Sequence, residues 1–380
     1  MSRTVEPGTV EPGTVEPRTV ERECTVGAPK TAKKGPQLYV RAAKKPNRTW
    51  FLAAAVVILF VVSILLGSYT VTVPDFFTIV TAHLTGGEKI PGASFIVMEN
   101  KLPRAIMGLM IGVAFGLSGA LFQTMLRNPL ASPDIIGISY GASAAAVLAI
   151  VVFGASGATV SVAALLGALG VALLIYAISR GASGRNGNAA GNRLVLSGVG
   201  IAAALGALVN FLMTRADIRT AAEALIWLNG SLNPATWERI GVLLLALAVL
   251  LPATAGLAGP LRMLELGDDT AAGLGIKVGA VRLGLVLAAV GLAAVATAAA
   301  GPVSFVAFLA GPIARRFTGK PSLPAAALTG AAIVLAADYF AYNVAPMVLD
   351  GTVLPVGVVT GALGAPFLLW LLATSNRKDS

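Results

Sequence analysis

Residues able to do chemistry are scarce in this chain of 380, and their scarcity narrows what the chain can do. One histidine, His83, and one cysteine, Cys24, cannot assemble a protein metal site, and Cys24 has no second thiol for a disulfide. A phosphate-binding loop is missing. Around Gly319-Lys320 the glycine required six positions before the lysine is Ala314, and Pro321 stands where Ser or Thr is needed. The chain is therefore not expected to be an enzyme or to hydrolyse ATP alone. Asp338 is the clear acid inside an apolar run, so the paired buried carboxylates of ion-coupled carriers are lacking as well. What remains is contact chemistry. The segment 263–276, M-L-E-L-G-D-D-T-A-A-G-L-G-I, carries Glu265, Asp268 and Asp269 between two long apolar runs. These acids suit basic groups or helix N-termini on a partner, or they cap a short helix of their own.

The elements around these residues must be membrane-spanning helices. Hydrophobic residues make up 56% of the chain and charged ones 12%, with a mean hydropathy of +0.81, too little polar surface to clothe a water-soluble globule. A helix needs roughly 17 to 25 apolar residues to cross the hydrocarbon. About ten spans are expected, at 51–68, 105–126, 135–153, 158–178, 194–213, 240–258, 283–300, 303–316, 323–344 and 354–373, the eighth being short for a straight crossing. Lipid offers the backbone no outside partner, which makes these spans helical. Gly and Ala saturate them, as in I-G-V-A-F-G-L-S-G-A from Ile111, so close helix packing is expected.

Residues 1–48 differ in kind. The T-V-E-P repeat that starts at Thr4, Thr9 and Thr14 accumulates no apolar face, and the bases from Lys33 to Arg48 suit an anionic membrane surface, not nucleic acid. A disordered cytoplasmic tail is expected at 1–48, a transmembrane domain at 49–375 and a short cytoplasmic tail at 376–380. With the N-terminus inside, the even-numbered loops and the C-terminus hold twelve further bases, whereas the other side mixes six bases with seven acids. That bias puts both termini and the 263–276 island in the cytoplasm.

Three segments carry a family resemblance over roughly residues 95–375. They are K-L-P-R-A with Q-T-M-L-R-N-P-L-A-S-P-D-I-I-G-I-S-Y-G-A (Gln123–Ala142), the island followed by Arg282, and A-G-P-V-S-F-V-A-F-L-A-G-P-I-A-R-R (Ala300–Arg316) with L-P-V-G-V-V-T-G-A-L-G-A-P-F (Leu354–Phe367). Together they resemble the FecCD-type permease subunits of bacterial ABC importers for iron siderophores, haem and vitamin B12. R-N-P-L-A-S-P-D-I-I-G, W-L-N-G-S-L at Trp227 and the G-D-D-T form of the island look most like the ferric-enterobactin, or catecholate, branch.

The resemblance implies an all-α integral membrane fold, a type II ABC importer permease bundle in the bacterial cytoplasmic membrane. Its implied partners are a second permease, two ATPase subunits that use ATP and Mg, and an extracytoplasmic binding protein, with ferric siderophore as cargo and membrane lipid around it. Cobalamin or haem is the alternative cargo. The chain itself is expected to bind no cofactor and no metal. The matching coupling residues are Glu265, Leu266, Gly267, Asp268, Asp269, Ala271, Gly273, Leu274 and Gly275, with the glycines allowing sharp turns. Lys101 and Arg104 match basic positions that meet acidic side chains of the binding protein, although long interfacial bases also arise without any partner. Arg127, Asn128, Pro129 and Leu130 form the family motif loop. Asn210, Met213, Ser304 and Phe305 are pathway candidates, and Asn188, Gly191 and Asn192 lie in a loop where the family has its inner gate. Tyr342 replaces a common basic residue, Val353 an acidic one, and Gly311 departs from the usual P-H-I-A-R.

Overall fold

A computed structural model describes residues 48–375 apart from 68, 88–89, 135–136 and 181–186; of the expected tails at 1–48 and 376–380, all but Arg48 lies outside the described residues. All regular structure among the described residues is helical. In chain order it comprises α1 Thr49–Leu65, α2 Val73–Thr85, α3 Ala93–Phe95, a π-helical turn Ile96–Lys101, α4 Leu102–Met125, α5 Ile138–Phe153, α6 Ala158–Arg180, α7 Gly187–Arg215 and α8 Ile218–Leu228. Then follow α9 Trp237–Glu265, α10 Asp268–Gly273, α11 Val278–Ala300, α12 Val306–Thr318, α13 Leu323–Tyr339, a second π-helical turn Phe340–Val344, α14 Ala345–Val348 and α15 Val356–Ser375.

Each of the ten expected windows contains a helix. Among the described residues six helical runs are long and apolar enough to cross a membrane, and α1, α5 and α15 are shorter apolar helices. The eighth window holds α12, only 13 residues with Pro312 inside it. The stretch 188–193, expected as a loop, instead forms the first turns of α7. A lone glycine there costs a helix only about 1 kcal/mol, too little to break one so rich in Ala and Leu.

Helix α4 is the axis of the bundle, and glycine makes it so. Gly112, Gly116 and Gly119 recur at helical spacing, and their missing side chains let neighbours touch backbone to backbone. A Cβ at Gly112 would stand 2.6 Å from Ala331 Cα, one at Gly116 2.4 Å from the Ala326 carbonyl oxygen, and one at Gly119 1.7 Å from that of Ala307. α13 and α12 therefore lie directly on α4. On another face the Ser118 hydroxyl donates to the Ala289 carbonyl of α11 at 2.6 Å, which satisfies a hydroxyl that burial would otherwise strand.

Polar residues punctuate the helices. Thr72, Asp217, Thr236 and Ser322 cap α2, α8, α9 and α13, each accepting a backbone N–H of the first turn. Those bonds stabilise the Asp217 carboxylate and hold it below the usual range, the Thr220 N–H foremost. Three distant turns also lock together. The Ser231 N–H donates to the Ala300 carbonyl at 2.7 Å and the Gly357 N–H to that of Gly230 at 3.3 Å. Side chains at Gly301 or Gly357 would collide with the Trp227 or Asn229 carbonyl oxygen, at 2.4 and 1.7 Å.

Candidate functional site

The polar side chains gather at the two ends of α4. At its C-terminal end the chain turns through Arg127, whose φ of 49° is left-handed backbone. This turn carries the Arg127 guanidinium toward α10. Its Nη2 donates to the Leu264 carbonyl at 2.7 Å and lies 3.5 Å from an Asp268 oxygen. Arg282 of α11 grips the same carboxylate, with Nη2 at 2.9 and 3.1 Å from its two oxygens. Asp268 thus binds the motif loop, the end of α9 and the start of α11 into one cluster. In that loop Asn128 accepts from the Leu130 N–H at 2.9 Å, an Asx turn that Pro129 supports. Nearby Asp134 is buried and accepts from the Ser139 hydroxyl; burial pushes its carboxyl above the usual range, which the hydroxyl partly offsets.

The island's geometry is that of a short stalked helix. Gly267 at φ 114° leads into α10 and Gly275 at φ 84° leads out, whereas Gly273 is an ordinary last helical residue. Gly267 takes the N-cap position, so Asp268 and Asp269 sit in the first turn and do not cap it. Leu266 and Leu274 are 64% and 59% exposed, and Glu265 and Asp269 are also exposed. Ala271 is fully buried and cannot face a partner. It faces the body because the six-residue helix has one side for its own support and one for solvent.

The opposite end of α4 corrects the reading of Lys101 and Arg104. Both are 7% exposed, and neither offers a free charge at the surface. Lys101 Nζ donates to the carbonyls of Ile64 at 3.1 Å and Leu66 at 3.0 Å, and also to Tyr69, so it caps the end of α1. Arg104 Nε and Nη2 donate to Asp338 at 2.7 to 3.1 Å, and its Nη1 donates to Asn233 at 2.6 Å. The Tyr342 ring lies 4.2 Å from the guanidinium carbon. The helix starts at Ala93, far before the expected span, so both bases are carried into the body. An unpaired charge there would be costly, hence the internal partners. Asp338, Asn233 and Tyr342 were not singled out as partners in sequence. The usable signal was the lone acid inside a span, which requires a counter-charge.

The pathway candidates lie on α7 and at the turn before α12. Asn210 is exposed and Met213 half-buried on α7; Ser304 is exposed and Phe305 half-buried at the turn before α12. Phe305 takes a left-handed φ of 65° and meets Phe308 edge-on. Asn188, Gly191 and Asn192 belong to the α7 backbone, with side chains outside the described residues.

The profile of the FecCD transport family matches residues 55–374. The chain is 40% identical over 294 residues to the Escherichia coli K12 ferric enterobactin transport system permease protein FepG, covering 77% of this chain and 86% of that protein. It is 36% identical to the Bacillus subtilis Fe(3+)-citrate import system permease protein YfmE, covering 86% and 95% of the two chains. Against the Halobacterium salinarum cobalamin import system permease protein BtuC the identity is 35%, with 74% of each covered. Among solved structures, an inward-facing conformation of a metal-chelate type ABC transporter superposes with a TM-score of 0.72 at 26% identity, covering 87% of this chain and 99% of that one.

Proposed function

This chain belongs to the FecCD transport family, and on that premise we propose that it is the multi-pass permease subunit of an ABC importer that moves a ferric siderophore across the bacterial cytoplasmic membrane. Separate ATPase subunits drive it with ATP and Mg, a second permease completes the channel, and an extracytoplasmic binding protein delivers the cargo. The observation that carries this reading is α10. It is a short helix braced from behind by Asp268 and Ala271, with two leucines exposed on its stalk and end. Such an element transmits a rigid push from a soluble partner to the bundle. Both termini and α10 lie in the cytoplasm in this reading, as the distribution of bases favours.

A catecholate siderophore such as ferric enterobactin is the proposed cargo, supported by the 40% identity to an enterobactin permease. The test is uptake of radiolabelled iron by a deletion strain complemented with this chain. Ferric catecholate uptake is expected to be restored, and hydroxamate, citrate, haem and cobalamin uptake to stay at the deletion level. Restoration of cobalamin or haem uptake alone would reassign the cargo.

A second experiment addresses coupling. Leu274→Glu is expected to cut co-purification of the ATPase in detergent by about tenfold or more, a loss of roughly 1.4 kcal/mol, while leaving the permease's own melting unchanged. Ala271→Glu should instead lower that melting, because it puts a carboxylate at a fully buried position. Full ATPase recovery with Leu274→Glu would remove α10 as the contact.

A further inference from the structure

The end of α12 and the elements around it form a basic corner that transport itself leaves unused. α12 closes with Arg315 and Arg316, the chain turns at Gly319 with a left-handed φ of 73°, and Lys320 follows. All three basic residues are exposed, and none has an ion-pair or hydrogen-bond partner for its side chain among the described residues. Bases often end a helix because they answer its last carbonyls. Here the chain answers them itself: the Gly319 N–H donates to the Arg315 carbonyl at 2.8 Å, and the Thr318 hydroxyl to those of Ala314 at 2.9 Å and Lys320 at 2.7 Å. A counter-charge is missing too. Residues 48–74, 301–337 and 351–375 contain no Asp or Glu, and Asp338 lies at the far end of α13, paired with Arg104.

Aromatic side chains flank the bases. The Arg316 guanidinium carbon lies 4.8 Å from the centre of the Trp370 ring on α15, and Trp370 in turn meets Phe367 at 5.5 Å. Phe317 and Trp370 are 47% and 42% exposed, and the adjoining Leu369 is exposed as well. α1 begins at the same corner: Leu52 packs with Ala314 and Ala325, one turn after Arg48 and next to the exposed Trp50 and Phe51.

We propose that this corner binds an anionic phospholipid, with its phosphodiester held by Arg315, Arg316 and Lys320 and its acyl chains along Phe317 and Leu369. A guanidinium stacked on a ring keeps its edge N–H groups for phosphate oxygens. Rings with an apolar body and a polar edge belong at headgroup level. A zwitterionic lipid offers the same phosphate but brings its own cation up to the bases. An acidic protein surface would meet bases that reach outward, whereas Arg316 is folded against α15, a helix whose Leu363 and Leu369 are exposed. The inference rests on the chain spanning a membrane and not on its cargo.

The full chain, purified in neutral detergent, is given equal amounts of phosphatidylglycerol and phosphatidylcholine with the same acyl chains, and bound lipid is read by native mass spectrometry. The parent is expected to favour phosphatidylglycerol about thirtyfold or more. Each base near an anionic surface contributes about fivefold, so Lys320→Gln should cut the preference about fivefold and Arg315→Gln with Arg316→Gln should bring it near one. Arg219→Gln, which removes an exposed base already paired with Glu223, should leave it unchanged. Melting in detergent alone reports folding, and Lys320→Gln, an exposed change, carries the test if the double variant melts early. Equal retention of the two lipids by the parent, or a preference indifferent to these variants, would overturn the proposal. Displacement of the lipid by millimolar inorganic phosphate would assign the bases to a free phosphate, and loss of ATPase co-purification in the variants without any lipid preference would assign them to that partner. Either overturns the lipid site, while iron uptake tests the permease reading separately.

Discussion

Asp338→Ala is expected to destabilise the permease by about 3 to 5 kcal/mol, the usual cost of leaving one member of a buried ion pair alone. The side chains of Arg104 and Asp338 are 8% and 9% exposed, and the carboxylate receives three of the close contacts that hold the guanidinium. Removing it strands a cation in the body of the bundle, with Asn233 and the Tyr342 ring left to face it among the described residues. The measurement is the thermal midpoint of the detergent-purified chain, followed by size-exclusion chromatography after heating. Arg104→Met combined with Asp338→Leu removes both charges and should recover most of the loss, since apolar replacements of buried pairs are often neutral. A single variant no worse than the double one would show that the pair is not desolvated.

Gly119→Ala is expected to be strongly damaging. The added carbon would stand 1.7 Å from the Ala307 carbonyl oxygen and 2.5 Å from its carbon, and both belong to backbone that cannot swing away. α4 and α12 would have to separate along their contact, with the loss of packing that lipid-embedded helices depend on. Overpacking typically costs 1 to 3 kcal/mol, and a backbone collision belongs at or above the top of that range, about 3 kcal/mol. Gly170→Ala on α6 is the control. Nothing lies within 4 Å of its Cβ position, and alanine favours a helix by about 1 kcal/mol over glycine. The first variant should fail to give a monodisperse peak in detergent, whereas the second should match the parent. Equal behaviour would mean that the close approach at Gly119 relaxes freely.

The sequence was most legible where one physical rule acts alone. Apolar runs of the right length gave all ten helical windows, since in lipid the backbone has no other way to satisfy itself. The polar island was equally plain, because charge is rare enough in this chain for three acids to stand out. Rules that need a partner were harder to use. Lys101 and Arg104 looked like surface bases because nothing local places Ile64, Leu66 or Asp338 beside them; those neighbours come from as many as 234 residues away. Ala271 shared a motif with Leu274, yet a six-residue helix has a back and a front that spacing alone does not assign. The helical start of α7 was missed because its Gly and Asn residues read as a loop, and the π-helical turns because they carry no breaker or distinct composition.

The lock among residues 227–231, 300–302 and 357 bears on how the chain is made. Its first part leaves the ribosome well before its last, and at roughly 5 to 20 residues per second the wait is on the order of ten seconds. During that interval the Asn229 and Gly230 carbonyls stand without the turn that later covers them. A nascent permease is therefore an open structure until α15 arrives, and its final helix acts as the closing key of biosynthesis. Chains interrupted before residue 357 would present that unfinished seam to the membrane's proteases.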